Sequence, residues 1–269
     1  MTNSTTVDID FCSELIVSLG AKLREECKKD LRLTTFEEVY ARAKEMSEWV
    51  TRSLKEPLAT KYPSILWSDS EFNLDNQRQA ESAGEYWVLD PLDGALHFVQ
   101  GFSFFALSLC LVRAGQPVVS FVYDPSSREL FHAVSGQGAF MNGSPIHVAA
   151  KQELAQSYIT TSLPSNPAKE PDISELTVRG ITRFMSKTVA VKMLGAVSLQ
   201  LAYVASGRLD GYFEFGDDYY DWLAGSLLVQ EAGGTITDGQ GGPFTWGTSG
   251  IITANTSLHG KMVAELREL

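Results

Sequence analysis

Trp87-Val88-Leu89-Asp90-Pro91-Leu92-Asp93-Gly94-Ala95-Leu96-His97-Phe98 is the stretch on which the reading of this chain turns. The short apolar run from Tyr86 to Leu89 predicts a strand that ends at Asp90, and a second carboxylate comes three residues on, where strand gives way to turn. Pro91 fixes its own φ and disfavours helix at Asp90, while Gly94 permits a tight change of direction. Both acids can then project into one small space with the Leu92 carbonyl between them. Carboxylate and carbonyl oxygens, with no thiolate or imidazole in the set, suit a hard cation, Mg²⁺ rather than zinc. Taken alone, the same residues also make an ordinary turn.

Working outward, Phe11, Leu15, Ile16, Leu19 and Leu23 recur at helical spacing, as do Phe36, Val39, Tyr40, Ala43, Val50 and Leu54, so two amphipathic helices open the chain. Downstream, Phe104 to Val112 and Val118 to Tyr123 are strand-like runs, and Asp124-Pro-Ser-Ser is a turn between strands. Gly136, Gly138 and Gly143 punctuate a further hairpin. The pattern restarts near residue 150, which divides the chain into an N-terminal half, 1–150, and a C-terminal half, 151–269. In the second half a strand is read at Ser157 to Ser162, followed by a loop containing Pro164, Pro167 and Pro171. A helix from about Ala196 to Ser206 stops at Gly207, a strand runs from Leu209 to Phe215, and a helix from Asp221 to Ala232 stops at Gly233-Gly234. Strands near Thr235 and Ile251 complete the series.

Composition narrows the function. The 269 residues are 44 % hydrophobic and 20 % charged, values of a folded globular protein. Lys and Arg number 22 against 33 acids, a net charge of −11, which argues against nucleic acid as partner and would repel an anionic substrate unless bound cations reverse the local sign. Cys12, Cys27 and Cys110 are an odd set without metal or disulfide spacing. The longest uncharged apolar stretch, Gly101 to Val112, is 12 residues, short of the roughly 20 a membrane helix needs. With no secretory signal at the start, the expectation is a cytoplasmic protein without membrane attachment.

A second motif joins the first. Tyr220-Asp221-Trp-Leu-Ala-Gly-Ser-Leu-Leu-Val-Gln-Glu-Ala-Gly-Gly234 sets an aspartate at a helix N-terminus, a place suited to an N-cap, an anion or, here, a metal ligand beside a phosphate. Together with Gly136-Gln-Gly-Ala-Phe-Met-Asn-Gly143, Gly195-Ala-Val-Ser-Leu and Ala202-Tyr-Val-Ala-Ser-Gly-Arg-Leu-Asp-Gly-Tyr212, in this order and spacing, the two motifs resemble the signatures of the inositol monophosphatase superfamily, Mg²⁺-dependent and lithium-sensitive phosphatases. The resemblance implies a layered α/β sandwich, αβαβα, with two sheets and helices between and outside them. It implies that Asp90, Asp93 and Asp221 are catalytic metal ligands, with the Leu92 main-chain oxygen and Glu71 as further ligands to Mg²⁺, for which Mn²⁺ can substitute. Gly94 and Ala95 would bind phosphate, and Gly195, Ala196, Val197 and Glu214 would line the pocket for the rest of the substrate. The implied substrate is a small phosphorylated polyol, foremost inositol monophosphate, with a 3′-phosphonucleotide or fructose 1,6-bisphosphate as alternatives. Relatives commonly form homodimers.

The chain also departs from the pattern. The usual Gly-Glu-Glu is Asp69-Ser70-Glu71, so Ser70 stands at the expected ligand, and Asp69 or Glu71 reaches the metal only if the loop shifts. Asp-Gly-Thr becomes Asp93-Gly94-Ala95, without the hydroxyl that orients the attacking water. Val39-Tyr-Ala-Arg-Ala43 replaces Val-Thr-x-x-Asp, and Lys192 replaces an arginine. A weakened enzyme, or a non-catalytic binder of phosphorylated ligands or proteins, is the alternative of another class.

Overall fold

The computed structural model describes residues 6–29, 32–68, 79–81, 84–164 and 167–269. Its chain forms five layers. Helices α1 (Ile9–Cys27) and α2 (Phe36–Lys61) cover one face of a seven-stranded sheet whose strands lie in sequence order: β1 (Leu66–Trp67), β2 (Glu85–Asp93), β3 (Ala106–Arg113), β4 (Gln116–Asp124), β5 (Glu129–Val134), β6 (Gly138–Met141) and β7 (Ser144–Pro145). The first pair is parallel and the rest form an antiparallel meander. Alternation along β2 shows why both faces must be covered: Trp87 and Leu89 pack with Ile16, Leu23, Val50 and Leu54 of α1 and α2, whereas Tyr86 and Val88 join the opposite core.

That opposite core is filled by α5 (Val197–Ala205) and α6 (Tyr219–Glu231), both buried nearly all round, as a central helical layer requires. Beyond them lies a five-stranded sheet of order β11-β12-β10-β8-β9, built from β8 (Tyr158–Thr161), β9 (Ala190–Met193), β10 (Gly211–Glu214), β11 (Thr235–Thr237) and β12 (Ile251–Ala254). Helices α4 (Pro171–Met185) and α7 (Thr256–Leu266) close its far side, their Phe184 and Met262 packing in one core with Ile159, Phe213 and Ile252. This is the expected αβαβα sandwich. Gly136 and Gly138 sit at φ 77° and 90°, which favours glycine, and Glu231, the last residue of α6, accepts their N–H groups, each at 2.8 Å, and so fastens the β5–β6 turn to the central helices.

Several elements differ in detail from the sequence reading. The Pro-rich segment is not all loop, because Pro171 opens α4 at a first-turn position where its missing N–H has no helical partner to lose. The second amphipathic helix lies where it is read, starting at Phe36 with a reciprocal capping box between Thr35 and Glu38, but Phe36 and Tyr40, read on its apolar face, are exposed. Strand β2 does not stop at Asp90 but runs on to Asp93 through an irregularity in register.

Candidate active site

The irregularity in β2 aims the two early aspartates. Asp90 pairs with Ser108 and Asp93 with Ala106, so β2 carries one extra residue between them. On a regular strand, residues three apart face opposite ways; the extra residue cancels the mismatch and turns both toward the α5–α6 layer, while Leu89 and Leu92 stay in the α1–α2 core. Pro91 cannot donate to the ladder, which places the bulge here. The Leu92 N–H donates to Asp90 Oδ1 at 3.0 Å and fixes that side chain against its own turn.

Asp93 is buried and spans to the start of α5. Its Oδ1 accepts the Val197 N–H at 3.0 Å, and its Oδ2 accepts the Ser198 N–H at 2.7 Å and the Ser198 hydroxyl at 2.5 Å. It thus caps a helix from 104 residues away. Val197, expected at the substrate pocket, spends its N–H on this cap. The cap residue of α5, Ala196, is held at φ 53°, in the left-handed region. Gln200 Nε2 donates to the carbonyls of Leu194 and Gly195 at 3.0 and 3.3 Å and steadies the same turn.

Gly94 sits at φ 79°, and a Cβ there would meet Ala196 Cβ and the Phe104 carbonyl oxygen, each at 3.0 Å. Conformation and space both demand glycine. Gly94→Ala is expected to lower unfolding stability by about 1–3 kcal/mol, read from a denaturant midpoint at unchanged slope.

Asp221 lies in the first turn of α6, behind Asp218 at the N-cap, so the helix begins two residues before the point read from sequence. Burial, then the charges of Asp90, Asp93, Asp218 and Glu214, push its carboxyl well above the ordinary range. Asp93 is also raised by burial, against the pull of its bonds to Ser198 and the other α5 amides. Glu214 is buried rather than an exposed strand carboxylate: its Oε2 accepts from Tyr212 Oη and Trp222 Nε1, both at 2.5 Å. Burial and Asp218 push it up to about 8, although those two donors pull it down. A carboxyl raised in the fold favours the native state below its ordinary 4.5, and that contribution is lost as pH rises through about 8. In metal-free buffer Glu214→Gln should match the parent at pH 4 and exceed it by roughly 2–5 kcal/mol at pH 9, measured by urea unfolding.

Asp90 and Asp93 are therefore both brought within range of the charge of Asp221. Among the described residues, however, no set of three His, Cys, Asp or Glu side chains stands ready to hold a metal ion. The carboxylates are close enough to repel, but Asp93 is turned onto α5, and the expected donors include a main-chain oxygen and position 71. Asp69, Ser70 and Glu71 lie outside the described residues. The donor set fits a hard divalent ion in kind, since a cluster of carboxylates, Asp93 buried and Asp90 and Asp221 half-buried, is relieved of its repulsion by protons or a cation.

Two groups at this site were not singled out from sequence. Glu81 Oε1 accepts from Ser68 Oγ and Tyr220 Oη, at 2.5 and 2.7 Å, linking the end of β1 to the residue before Asp221. His97 packs on Gly195. Glu81 belongs to no spaced motif; His97 lies in the aspartate stretch, but only the fold packs it on Gly195.

The model of the inositol monophosphatase family matches residues 6–269. This chain belongs to that family. Among the family's members, inositol monophosphatase 2 of Solanum lycopersicum is 37 % identical over 184 residues, 68 % of each chain. Nus factor SuhB of Salmonella typhimurium is 33 % identical over 234 residues, 86 % of each chain. The solved inositol monophosphatase from Anabaena superposes with a TM-score of 0.80 at 28 % identity, covering 97 % of this chain and 95 % of that one. Among the described residues, no helix is long and apolar enough to cross a membrane.

Proposed function

We propose that the protein is a Mg²⁺-dependent phosphomonoesterase of small phosphorylated polyols, inositol monophosphate first among them. This reading is carried by the setting of Asp221, half-buried at the start of α6, where the charges acting on it most strongly are all carboxylates, two of them the Asp90 and Asp93 of the early motif. Asp90, Asp93, Asp221 and the Leu92 carbonyl are the groups that would hold the cation, with Glu71 as a further ligand. Mg²⁺ or Mn²⁺ bound there supplies Lewis-acid stabilisation of phosphoryl oxygens and acidifies a water.

The chain's own groups do the rest. The Gly94 and Ala95 amides, at the start of α3 (Ala95–Val99), would donate to phosphate oxygens. Asp93 holds α5 so that Gly195 and Ala196 form one wall of the substrate pocket. Glu214 spends Oε2 on Tyr212 and Trp222, which leaves Oε1 for a substrate hydroxyl. The halves divide accordingly, 1–150 bringing the Asp90–Asp93 motif and 151–269 bringing Asp221 and the pocket. In keeping with the resemblance, we read the protein as a cytoplasmic homodimer.

The test is Mg²⁺-dependent phosphate release from inositol 1-phosphate, 3′-phosphoadenosine 5′-phosphate and fructose 1,6-bisphosphate. The first should be fastest; no release from any of them at saturating Mg²⁺ overturns the reading. Ala95, which lacks the family hydroxyl, and a relative named as a Nus factor favour a second reading, a binding module without turnover. Calorimetric binding of inositol 1-phosphate with no phosphate released would decide for it.

A further inference from the structure

We propose that His97 is a specificity residue of this pocket, its Nε2 accepting a hydrogen bond from a hydroxyl of the polyol or sugar moiety of the phosphorylated substrate. The inference rests on the phosphomonoesterase reading and adds a residue to it. The tautomer of His97 is forced. Its Nδ1 lies 3.0 Å from the Phe104 carbonyl oxygen, and because a carbonyl only accepts, Nδ1 carries the proton. In the neutral ring Nε2 is then an acceptor.

The ring is also in the right place. The Phe104 oxygen that His97 holds is the same oxygen that closes on Gly94, 3.0 Å from the position of a Cβ there, which sets the imidazole beside the phosphate-binding turn. On its other side a Cβ added to Gly195 would fall 2.3 Å from His97 Cε1 and 3.2 Å from Nε2. The imidazole thus occupies the space a side chain at 195 would need, between Gly94 and the Gly195-Ala196 wall. Edge contacts with Phe102 and Phe104, at 5.8 and 6.2 Å between ring centres, hold it in one orientation.

Nε2 has no protein partner among the described residues, and it is not among their buried unpartnered polar atoms, so it is an accessible acceptor on a fixed ring. Such a group discriminates for a ligand hydroxyl, because a ligand without one leaves it unpaired. Glu214 and His97 would then read different hydroxyls of one substrate, from β10 and from α3.

Two variants separate this role from packing. In His97→Asn the amide nitrogen takes the place of Nδ1 and keeps the bond to Phe104, but nothing replaces Nε2; in His97→Gln an amide oxygen reaches the Nε2 position. The expected result for His97→Asn is a 10- to 100-fold loss of kcat/KM on inositol 1-phosphate, carried by KM, with p-nitrophenyl phosphate, whose leaving group has no aliphatic hydroxyl, changed by less than about threefold. His97→Gln should recover most of the loss. Equal losses on both substrates, or none on inositol 1-phosphate, overturn the proposal. If the parent protein hydrolyses neither compound, the phosphomonoesterase reading fails, and His97 is judged by calorimetry instead. A 10- to 100-fold weaker affinity of His97→Asn for inositol 1-phosphate, with affinity for inorganic phosphate unchanged, supports the contact; equal affinities, or no binding by the parent, overturn it.

Discussion

Replacing Asp221 by asparagine is expected to remove Mg²⁺-dependent phosphate release by about 10³-fold or more and, in the same protein, to raise the melting temperature of the metal-free form. The two effects have one cause. Asp221 is half-buried and feels the charges of Asp90, Asp93, Asp218 and Glu214, so its own charge is costly in the fold. Relieving such a charge is worth about 1–4 kcal/mol, which at roughly 2–4 °C per kcal/mol for a chain of this size predicts a rise on the order of 5 °C. Because the carboxyl is raised in the native state, the gain is present at pH 7 and vanishes below the ordinary carboxyl value of 3.8. Losing a ligand to a Lewis-acidic ion forfeits several kcal/mol of transition-state stabilisation, and each 1.36 kcal/mol is about a factor of ten in rate. Saturating Mg²⁺ should stabilise the parent and leave the variant unmoved. Differential scanning calorimetry with and without Mg²⁺, alongside phosphate release, checks both halves. A variant that is less stable than the parent without metal would show that Asp221 is a structural cap and not a strained ligand.

The double change Ser70→Glu with Ala95→Thr is expected to raise kcat by about 10²- to 10⁴-fold, the ordinary worth of general-base assistance. The family pattern supplies a glutamate and a threonine hydroxyl to activate and aim the water, and this chain has neither at those two positions. Ala95 opens α3 directly after Gly94 and is partly buried against the α1–α2 core, so a threonine there sets its hydroxyl beside the proposed phosphate-binding turn. Each single change should give much less than the pair, since the two groups act on one water. Stopped assays on inositol 1-phosphate with the four proteins of the cycle provide the measurement. Unchanged turnover in the double variant would mean that water activation in this chain runs through other groups.

How far these sites were legible in the sequence can be seen residue by residue. The spacing of Ile16, Leu19 and Leu23, and the two-sided apolar run of β2, disclosed the outer helices and the central sheet because burial imposes a period. Asp90, Asp93 and Gly94 were legible because proline and glycine fix backbone geometry locally. The bulge that turns both aspartates one way was not, since it depends on how β2 registers with β3. Nor was the use of Asp93 as a distant cap for α5, which no local pattern encodes. Helix α4 was hidden by its prolines, read as loop although one of them starts the helix. Glu81 carries no periodic or spaced signal, and the place of His97 in the aspartate stretch does not show its packing on Gly195; the distant partners, Gly195 and Tyr220, are far along the chain.

The central claim is that Asp90, the Leu92 carbonyl, Asp93 and Asp221 share a divalent ion. Anomalous diffraction from crystals soaked in Mn²⁺ tests it most directly. The account predicts a peak in contact with both the Asp90 and Asp221 carboxylates, at roughly the 2.0–2.2 Å of oxygen ligands to small divalent ions. A saturated soak with no peak between those two side chains, or with manganese bound only elsewhere on the acidic surface, would contradict it.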